Sequence, residues 1–185
     1  NIQNLSSEID VRRAKIDHLQ QQGEIVYKDR FECSYTISEA REMVGKKVKI
    51  AGRMVFRRVM GKFGFMQIRN LESKIQVSVG RNELDEQAYD FYKKMIDIGD
   101  FVGVEGEVYL TQTGEVTVKA ESVTLLSKAL RPLPEKFHGL TDTESKYRQR
   151  YLDLIANEET REVFIGRSKL LSFIRKYLGQ HGFLE

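Results

Sequence analysis

Hydrophobic and polar residues alternate along residues 47–79, and this period of two predicts three consecutive β-strands. A Gly61-Lys62 pair separates the first two strands and has the composition of a turn. Because successive side chains of a strand point to opposite faces, one set of positions forms a buried face. The predicted buried positions are Val48, Ile50, Gly52, Met54, Phe56, Gly64, Met66, Ile68, Ile75, Val77 and Val79.

The same alternation places Phe65 and Gln76 on the opposite, solvent-facing side of the sheet. An aromatic ring beside an amide, with Arg57 and Arg58 nearby in the sequence, is typical of a platform for an unpaired nucleotide base. A second interpretation is that Phe65 covers the core under a neighbouring loop, because exposed apolar side chains are common.

The remaining pattern predicts three helices and two further strands. The predicted helices are Ser7–Gln22, Thr36–Met43 and Asn82–Ile98, and the strands are Val102–Leu110 and Val116–Ala120. The barrel order is therefore three strands, a helix and two strands. This order is that of the OB-fold, a small five-stranded barrel whose second and third strands commonly bind oligonucleotides. The predicted class is mainly β with α, and in-strand glycines such as Gly106 fit its bends.

Glu115 follows the predicted turn at Thr113-Gly114 and shares its parity with Thr117 and Lys119. Since Val116 and Val118 have the opposite parity, the Glu115 carboxylate is predicted to point outward at the mouth of the last hairpin. Two interpretations follow from the residues. The carboxylate accepts hydrogen bonds from a bound base, or it pairs with Lys119.

Composition excludes several classes of protein. The 185 residues are 41% hydrophobic and 31% charged, which describes a globular protein with a real core. No apolar run approaches the roughly 18 residues of a membrane span, and no signal peptide opens the sequence. The single cysteine, Cys33, favours a reducing, cytoplasmic location, and the three histidines have no metal-ligand spacing.

Basic residues are concentrated where the three strands lie. No acidic residue occurs from Met43 to Leu71, although the net charge of the sequence is only +3. A basic sheet face attracts phosphates, so we expect a nucleic-acid partner; the alternative is an ordinary solvated strand pair. A charge cluster on the first helix also either contacts phosphates or faces water. The candidate phosphate contacts are Arg12, Arg13, Lys15, Arg53, Arg57 and Lys62.

Two prolines, Pro132 and Pro134, stiffen a linker after the barrel. Beyond it, Asp142–Ala156 and Glu159–Gln180 are predicted helices, and the second carries an apolar stripe that needs a partner. The abrupt end suggests a longer protein. The predicted division is a helical extension at 1–45, the OB-fold at 46–127, the linker at 128–140 and a helical segment at 141–185.

The linker and the helix after it carry the most specific motifs. Lys128–Leu140 and Tyr147–Ile155 resemble the junction between the anticodon-binding and catalytic domains of class II lysyl-tRNA synthetases. The junction separates these enzymes from their aspartate and asparagine relatives, which have the same type of barrel. Shorter stretches also resemble the family, namely Arg12–Ile16, Val48–Met54, Lys74–Gln76 and Thr113–Glu115. Tyr27–Phe31 departs from it, since the family often has a proline after the aromatic residue.

The resemblance implies that the barrel binds the anticodon of lysine tRNA, whose bases are uracils. Glu115 would accept the uracil N3–H, Gln76 and Arg58 would donate to the two carbonyls, and Phe65 would stack on a base, worth about 1–3 kcal/mol. Cytosine has an acceptor at N3 and an exocyclic amine. It would leave these groups mispaired, at a cost of about 1–3 kcal/mol for each unsatisfied buried group.

The resemblance also implies that 141–185 begins a truncated class II catalytic domain. Residues 161–185 resemble the helix that packs across the dimer axis, with Phe164, Arg167, Leu171 and Ile174 as candidate interface residues. The later motifs with the ATP-binding and aminoacyl-transfer arginines are absent, so this segment is expected to be inactive and has no catalytic residue. The full-length parent is expected to be a cytoplasmic homodimer that uses ATP and Mg²⁺.

Two other functions fit the pattern less well. A stand-alone OB-fold protein for single-stranded nucleic acid would need neither the proline linker nor the helical tail. An interaction domain whose helices dimerise would tolerate charge reversal at Arg57 and Arg58. The junction motif favours the anticodon-binding module.

Overall fold

The five predicted strands are present in a computed structural model, which describes residues 7–134 and 142–184. The strands are β1 (Lys47–Met60), β2 (Phe63–Arg69), β3 (Lys74–Gly80), β4 (Phe101–Leu110) and β5 (Val116–Ser127). The helices are α1 (Glu8–Gln21), α2 (Ile37–Ala40), α3 (Glu86–Met95), α4 (Thr143–Arg148), α5 (Arg150–Ala156) and α6 (Glu158–Gln180).

The strands close into a ring in the order β1-β2-β3-β5-β4. Strand β1 pairs with both β2 and β4 in antiparallel orientation, and β3 pairs with β5 in parallel orientation. Helix α3 connects β3 to β4, as the alternation predicted. The OB-fold prediction is therefore confirmed.

Close backbone contacts explain two of the glycines inside strands. A Cβ atom on Gly106 would lie 2.0 Å from the carbonyl oxygen of Lys119, at a β-bulge between β4 and β5. A Cβ atom on Gly64 would lie 2.8 Å from the carbonyl oxygen of Arg58. Any side chain at either position would push neighbouring strands apart, so glycine permits the tight curvature of the ring.

The barrel interior is filled by the inward-facing residues of all five strands. Strand β2 alternates strictly between buried and half-buried positions, with Met66 and Ile68 fully buried. Helix α3 adds Tyr89 and Tyr92 to the same core. A smaller apolar cluster of Ile16, Leu19, Val26 and Leu125 packs α1 and the chain after it against the end of β5.

Side-chain caps set the helix starts. Ser7 accepts from the amide of Asp10 at 3.2 Å, and Thr36 and Glu39 form the predicted capping box. Helix α3 begins later than predicted because the Asp85 carboxylate accepts from the amide of Ala88 at 2.7 Å. The helix predicted over 142–156 is instead two short helices, because the backbone at Gln149 leaves the helical region (φ −121°, ψ 52°).

A buried ammonium group joins the two ends of the last hairpin to α3. The Lys128 side chain is fully buried, and its Nζ atom lies 2.6 Å from the Asp100 carboxylate and 2.7 Å from the Met95 carbonyl oxygen. It also pairs with Asp97, which in turn pairs with Lys15 of α1 at 2.6 Å. Burial alone would raise the pKa of Asp97, but the hydrogen bonds from Lys128 and Lys15 lower it below the ordinary value. This ion cluster therefore connects α1, α3, β4 and β5.

The described structure forms two compact units divided between Pro132 and Leu133. The first contains the ring of strands with α1–α3, and the second contains α4–α6. In the second unit, the Asp153 carboxylate is buried and accepts from Arg150 at 2.7 Å. Much of α6 is exposed, including the apolar side chains of Leu171 and Ile174.

The ion cluster generates a stability prediction. Replacing Lys128 with Met leaves the buried Asp100 carboxylate without its cation, so we expect the free energy of unfolding to fall by about 3–5 kcal/mol. Urea unfolding followed by circular dichroism measures this loss. Lys47→Met is the matched control, because Lys47 forms an exposed pair with Glu121. The decrease in the free energy of unfolding should be much smaller in this variant than in Lys128→Met. Equal losses for the two variants would contradict the assigned role of Lys128.

Candidate nucleic-acid interface

The predicted base-binding residues lie on three strands and at the start of a fourth, and these strands are consecutive around the ring. Arg58 lies on β1, Phe65 on β2 and Gln76 on β3, and Glu115 immediately precedes β5. All four belong to the outer face, and we call them the base platform. Each strand contributes one side chain, so the set forms a diagonal across the sheet.

Strand register fixes how these side chains are spaced. Arg58 is directly opposite Phe65, and Phe65 is directly opposite Ser78 of β3. Opposite residues have Cβ atoms about 4.5–5.5 Å apart. Gln76 is two residues from Ser78 on the same face, which makes it the diagonal neighbour of Phe65 at about 7–8 Å. The guanidinium, the ring and the amide are therefore close enough to contact adjacent parts of one nucleotide.

A β-bulge places Arg58 on this face. The β1–β2 register shifts between Met54 and Phe56, so the alternation of β1 changes phase there. Phe56, predicted to be buried, is 38% exposed, and this prediction was wrong. Uninterrupted alternation would have directed Arg58 inward, because it would share the face of buried Met54. An extra residue in one strand reverses the facing of everything after it.

The Phe65 ring has the predicted outward orientation. It is half-buried, while its neighbours Gly64 and Met66 are buried. Phe63, two residues earlier on the same face, contacts it edge-on, with ring centroids 4.9 Å apart and planes at 89°. This contact gives Phe65 a preferred ring orientation. Phe63 and Phe65 have the same parity in the sequence, but a period of two does not reveal that their rings are in contact.

Gln76 is held by a hydroxyl group. Its Nε2 atom donates to the Oγ1 atom of Thr117 at 3.0 Å, across the parallel β3–β5 pair. The Thr117 hydroxyl donates in turn to the carbonyl oxygen of Glu115 at 3.2 Å. The sequence pattern assigns no role to Thr117, although Thr117 shares the parity of Glu115.

Glu115 extends from the hairpin turn with an exposed side chain. Its backbone is fixed, because its amide donates to the Thr111 hydroxyl at 2.9 Å and its carbonyl accepts from the Thr111 amide at 3.0 Å. The alternative pairing with Lys119 does not occur, since Lys119 pairs with Glu83 at 3.5 Å. Within residues 7–134 and 142–184, no side-chain cation pairs with Glu115, so its carboxylate is available to a ligand.

Two of the predicted phosphate contacts on α1 have internal partners. Arg12 is 3% exposed, pairs with Glu8 at 2.7 Å and donates to the carbonyl oxygen of Ala129 at 2.9 Å. Lys15 belongs to the ion cluster around Asp97. These partners argue against phosphate contact by either side chain. Arg13, between them, is exposed.

Two basic residues of β1 are also engaged internally. Arg53 donates to the Gly99 carbonyl at 2.9 Å and lies over the Phe101 ring, 4.3 Å from its centroid; burial lowers its pKa. Arg57 donates to the Ile96 carbonyl just after α3, where the helix dipole favours a cation. Both guanidinium groups therefore form hydrogen bonds within the first unit. Lys62, in the β1–β2 turn, is exposed and keeps its ammonium at the surface.

The described residues contain no group of three His, Cys, Asp or Glu side chains that could hold a metal ion. None of the helices in that part of the chain has the length and apolar character to cross a membrane. On α6, Phe164 lies 5.3 Å from the Arg150 guanidinium, while Arg167, Leu171 and Ile174 are exposed.

Comparison with known proteins agrees with the OB-fold. Residues 48–126 match the family model described as OB-fold nucleic acid binding domain. The whole chain is 44% identical to a lysine–tRNA ligase of Lactococcus lactis subsp. lactis, and 99% of it is 47% identical to that of Carboxydothermus hydrogenoformans. The lysine–tRNA ligase of Streptococcus pneumoniae is 46% identical over the whole chain. The chain spans about two fifths of the length of these relatives, 39% in the first case.

Proposed function

We propose that the base platform binds the anticodon of lysine tRNA, from the premise that residues 48–126 belong to the OB-fold nucleic acid binding domain family. The whole chain is also homologous to lysine–tRNA ligases. The observation that carries this proposal is the diagonal of Arg58, Phe65, Gln76 and Glu115 on adjacent strands of one face. This diagonal supplies a ring, an amide, a guanidinium and a carboxylate within the span of a few nucleotides.

The chemistry of uracil suits these groups. Its Watson–Crick edge has one N3–H donor between two carbonyl acceptors. The Glu115 carboxylate accepts the N3–H, while the Gln76 amide and the Arg58 guanidinium donate to carbonyl oxygens. Phe65 stacks on a base and favours no particular one, because every base has a π-face. Discrimination against cytosine therefore comes from the polar groups.

Phosphate contacts in this proposal are few. Arg13 and Lys62 are the candidates that remain, since Arg12, Lys15, Arg53 and Arg57 have internal partners. A single-stranded ligand bound through few phosphates has a shallow salt dependence. Base stacking and directional hydrogen bonds would thus supply most of the affinity.

The activity of the longer protein is part of the proposal. We propose that it attaches lysine to its tRNA with ATP and Mg²⁺ in the cytoplasm, and that the described residues contribute RNA binding and no catalytic group. The alternative, a stand-alone protein for single-stranded nucleic acid, is less well supported, because the similarity to ligases includes the C-terminal helices.

We also propose that the exposed stripe of α6, formed by Phe164, Arg167, Leu171 and Ile174, contacts a second copy of the chain. Three apolar side chains on one exposed helix face favour burial against a partner. The helix alone offers no apolar neighbour that covers Leu171, which is 44% exposed.

The stacking role predicts the effect of Phe65→Ala. Loss of the ring should weaken binding to an RNA stem-loop with a UUU anticodon by about 1–3 kcal/mol, because one base loses its stacking surface. Fluorescence anisotropy at fixed salt measures the affinity. Phe183→Ala, at a 65% exposed aromatic of the second unit, is the matched control and should leave affinity unchanged. A collapse of the melting temperature in Phe65→Ala would instead assign Phe65 to the core.

The carboxylate predicts a change in base preference. Glu115→Gln replaces an obligate acceptor with a group that both donates and accepts, so it should reduce the preference for UUU over a single-C loop by about fivefold or more. Competition binding with the two loops gives this ratio. Glu24→Gln, at an exposed carboxylate near α1, should preserve it. An unchanged ratio in Glu115→Gln would remove this residue from base recognition.

The stripe on α6 predicts concentration-dependent association. Leu171→Glu should shift sedimentation velocity profiles toward the monomer, because a charge in an apolar contact is costly. Lys169→Glu, on the opposite face of the helix, introduces the same residue and should leave the profile as in the parent chain. A wild-type chain that stays monomeric at all concentrations would contradict this contact.

A further inference from the structure

Thr117 lies fully buried between two members of the base platform. Its Oγ1 atom is 3.0 Å from the Nε2 atom of Gln76 and 3.2 Å from the carbonyl oxygen of Glu115. Thr117 is paired to Gln76 on one side and to Tyr109 on the other, so its side chain lies on the same face of the sheet as that of Gln76. The hydroxyl therefore joins the strand that carries the amide to the residue that carries the carboxylate.

The hydroxyl fixes which end of the amide faces it. A hydroxyl has one proton, and donation to the Glu115 carbonyl leaves only its lone pairs for Gln76. The amide must then present its NH₂ group to Thr117, and its Oε1 atom must point away. In a flipped amide, the Oε1 atom of Gln76 would face the Oγ1 atom of Thr117. Either these two acceptors would meet without a proton between them, or the Thr117 hydroxyl would donate to Oε1 and no longer to the Glu115 carbonyl. Either arrangement loses one hydrogen bond.

This orientation matters because a free amide cannot distinguish uracil from cytosine. A glutamine presents a donor beside an acceptor, and rotation by 180° about its last bond exchanges the two. With its NH₂ group at Thr117, the amide keeps a second N–H that can donate to a carbonyl oxygen of uracil, while the Glu115 carboxylate accepts the N3–H. A flipped amide would present Oε1 at the same point, where it would accept from the exocyclic amine of cytosine. Only a locked amide discriminates between the two bases.

We propose that Thr117 is a positioning residue that makes Gln76 specific for uracil by locking the orientation of its amide. This inference rests on the proposed function, since it concerns the base that the platform binds. Thr117 touches no nucleotide and acts only through Gln76. Removal of the Thr117 hydroxyl should therefore lower specificity by raising the affinity for cytosine, while the affinity for uracil stays nearly the same.

The test compares Thr117→Val, which removes the hydroxyl at nearly constant shape, with Thr117→Ser, which keeps it. Binding is measured to a UUU anticodon stem-loop and to three loops with one cytosine each. We expect Thr117→Val to bind one of the cytosine loops about fivefold more tightly than wild type, the equivalent of one hydrogen bond, with UUU affinity within about twofold. Thr117→Ser should keep the wild-type ratio. In a Gln76→Ala background, Thr117→Val should change nothing further.

A second readout needs no RNA. The side-chain NH₂ protons of Gln76 should exchange with solvent more slowly than those of Gln67, the half-buried glutamine directly opposite it on β2. This difference should disappear in Thr117→Val. Equal exchange of the two amides in wild type would overturn the inference whether or not the valine variant folds.

The outcomes separate the inference from the proposed function. If wild type prefers UUU and Thr117→Val keeps that preference, only the role of Thr117 is overturned. If Thr117→Val loses affinity for all four loops equally, Thr117 has a structural role and the inference is again wrong. If wild type shows no preference for UUU, the proposed function and this inference both fail.

Discussion

The ammonium group of Lys128 lies fully buried where the end of β5 meets the start of β4 and the end of α3. Removing an ion from water is costly, and the cost is offset only if every proton finds an acceptor. Lys128 meets this condition with two carboxylates and one carbonyl, and the second carboxylate, Asp97, binds Lys15 of α1. The same set of charges therefore joins the ends of β4 and β5 to α3 and to the N-terminal helix. The base platform lies on β1–β3 and at the start of β5, so its geometry depends on these strands staying paired.

Local pattern was sufficient to predict most of the barrel. Period two in residues 47–79 identified three strands and the outward direction of Phe65 and Gln76, and Thr36 and Glu39 identified a capping box. The bulge after Met54 could not be predicted, since bulged and regular strands have the same composition and the extra residue is defined only by its partner strand. Its consequence was large: it exposes Phe56 and brings Arg58 to the face that carries Phe65 and Gln76.

The basic residues illustrate a different limit. The absence of acidic residues between Met43 and Leu71 predicts a basic sheet face, but it does not say which cations have internal partners. Arg12 meets a carbonyl 117 residues away, Lys15 a carboxylate 82 residues away and Arg53 a carbonyl 46 residues away. A count of charges in a local stretch of sequence cannot identify partners that are so far away in the sequence. Counting arginines and lysines in the sequence thus overestimates the number of phosphate contacts, because some of these side chains donate to backbone carbonyls at helix ends and turns.

Selectivity for a base and attraction to a phosphate place different demands on a protein. Attraction needs only charge, and a mobile lysine at the surface supplies it. Selectivity needs a donor or an acceptor whose identity at a given point does not change, and an amide or a hydroxyl lacks this property until a neighbour removes its freedom to rotate. In this barrel the neighbours are close: Thr111 fixes the backbone of Glu115, Thr117 fixes Gln76, and Phe63 orients Phe65. Three of the four platform residues are therefore restrained by another side chain of the same barrel, which is the condition that directional recognition by a small sheet requires.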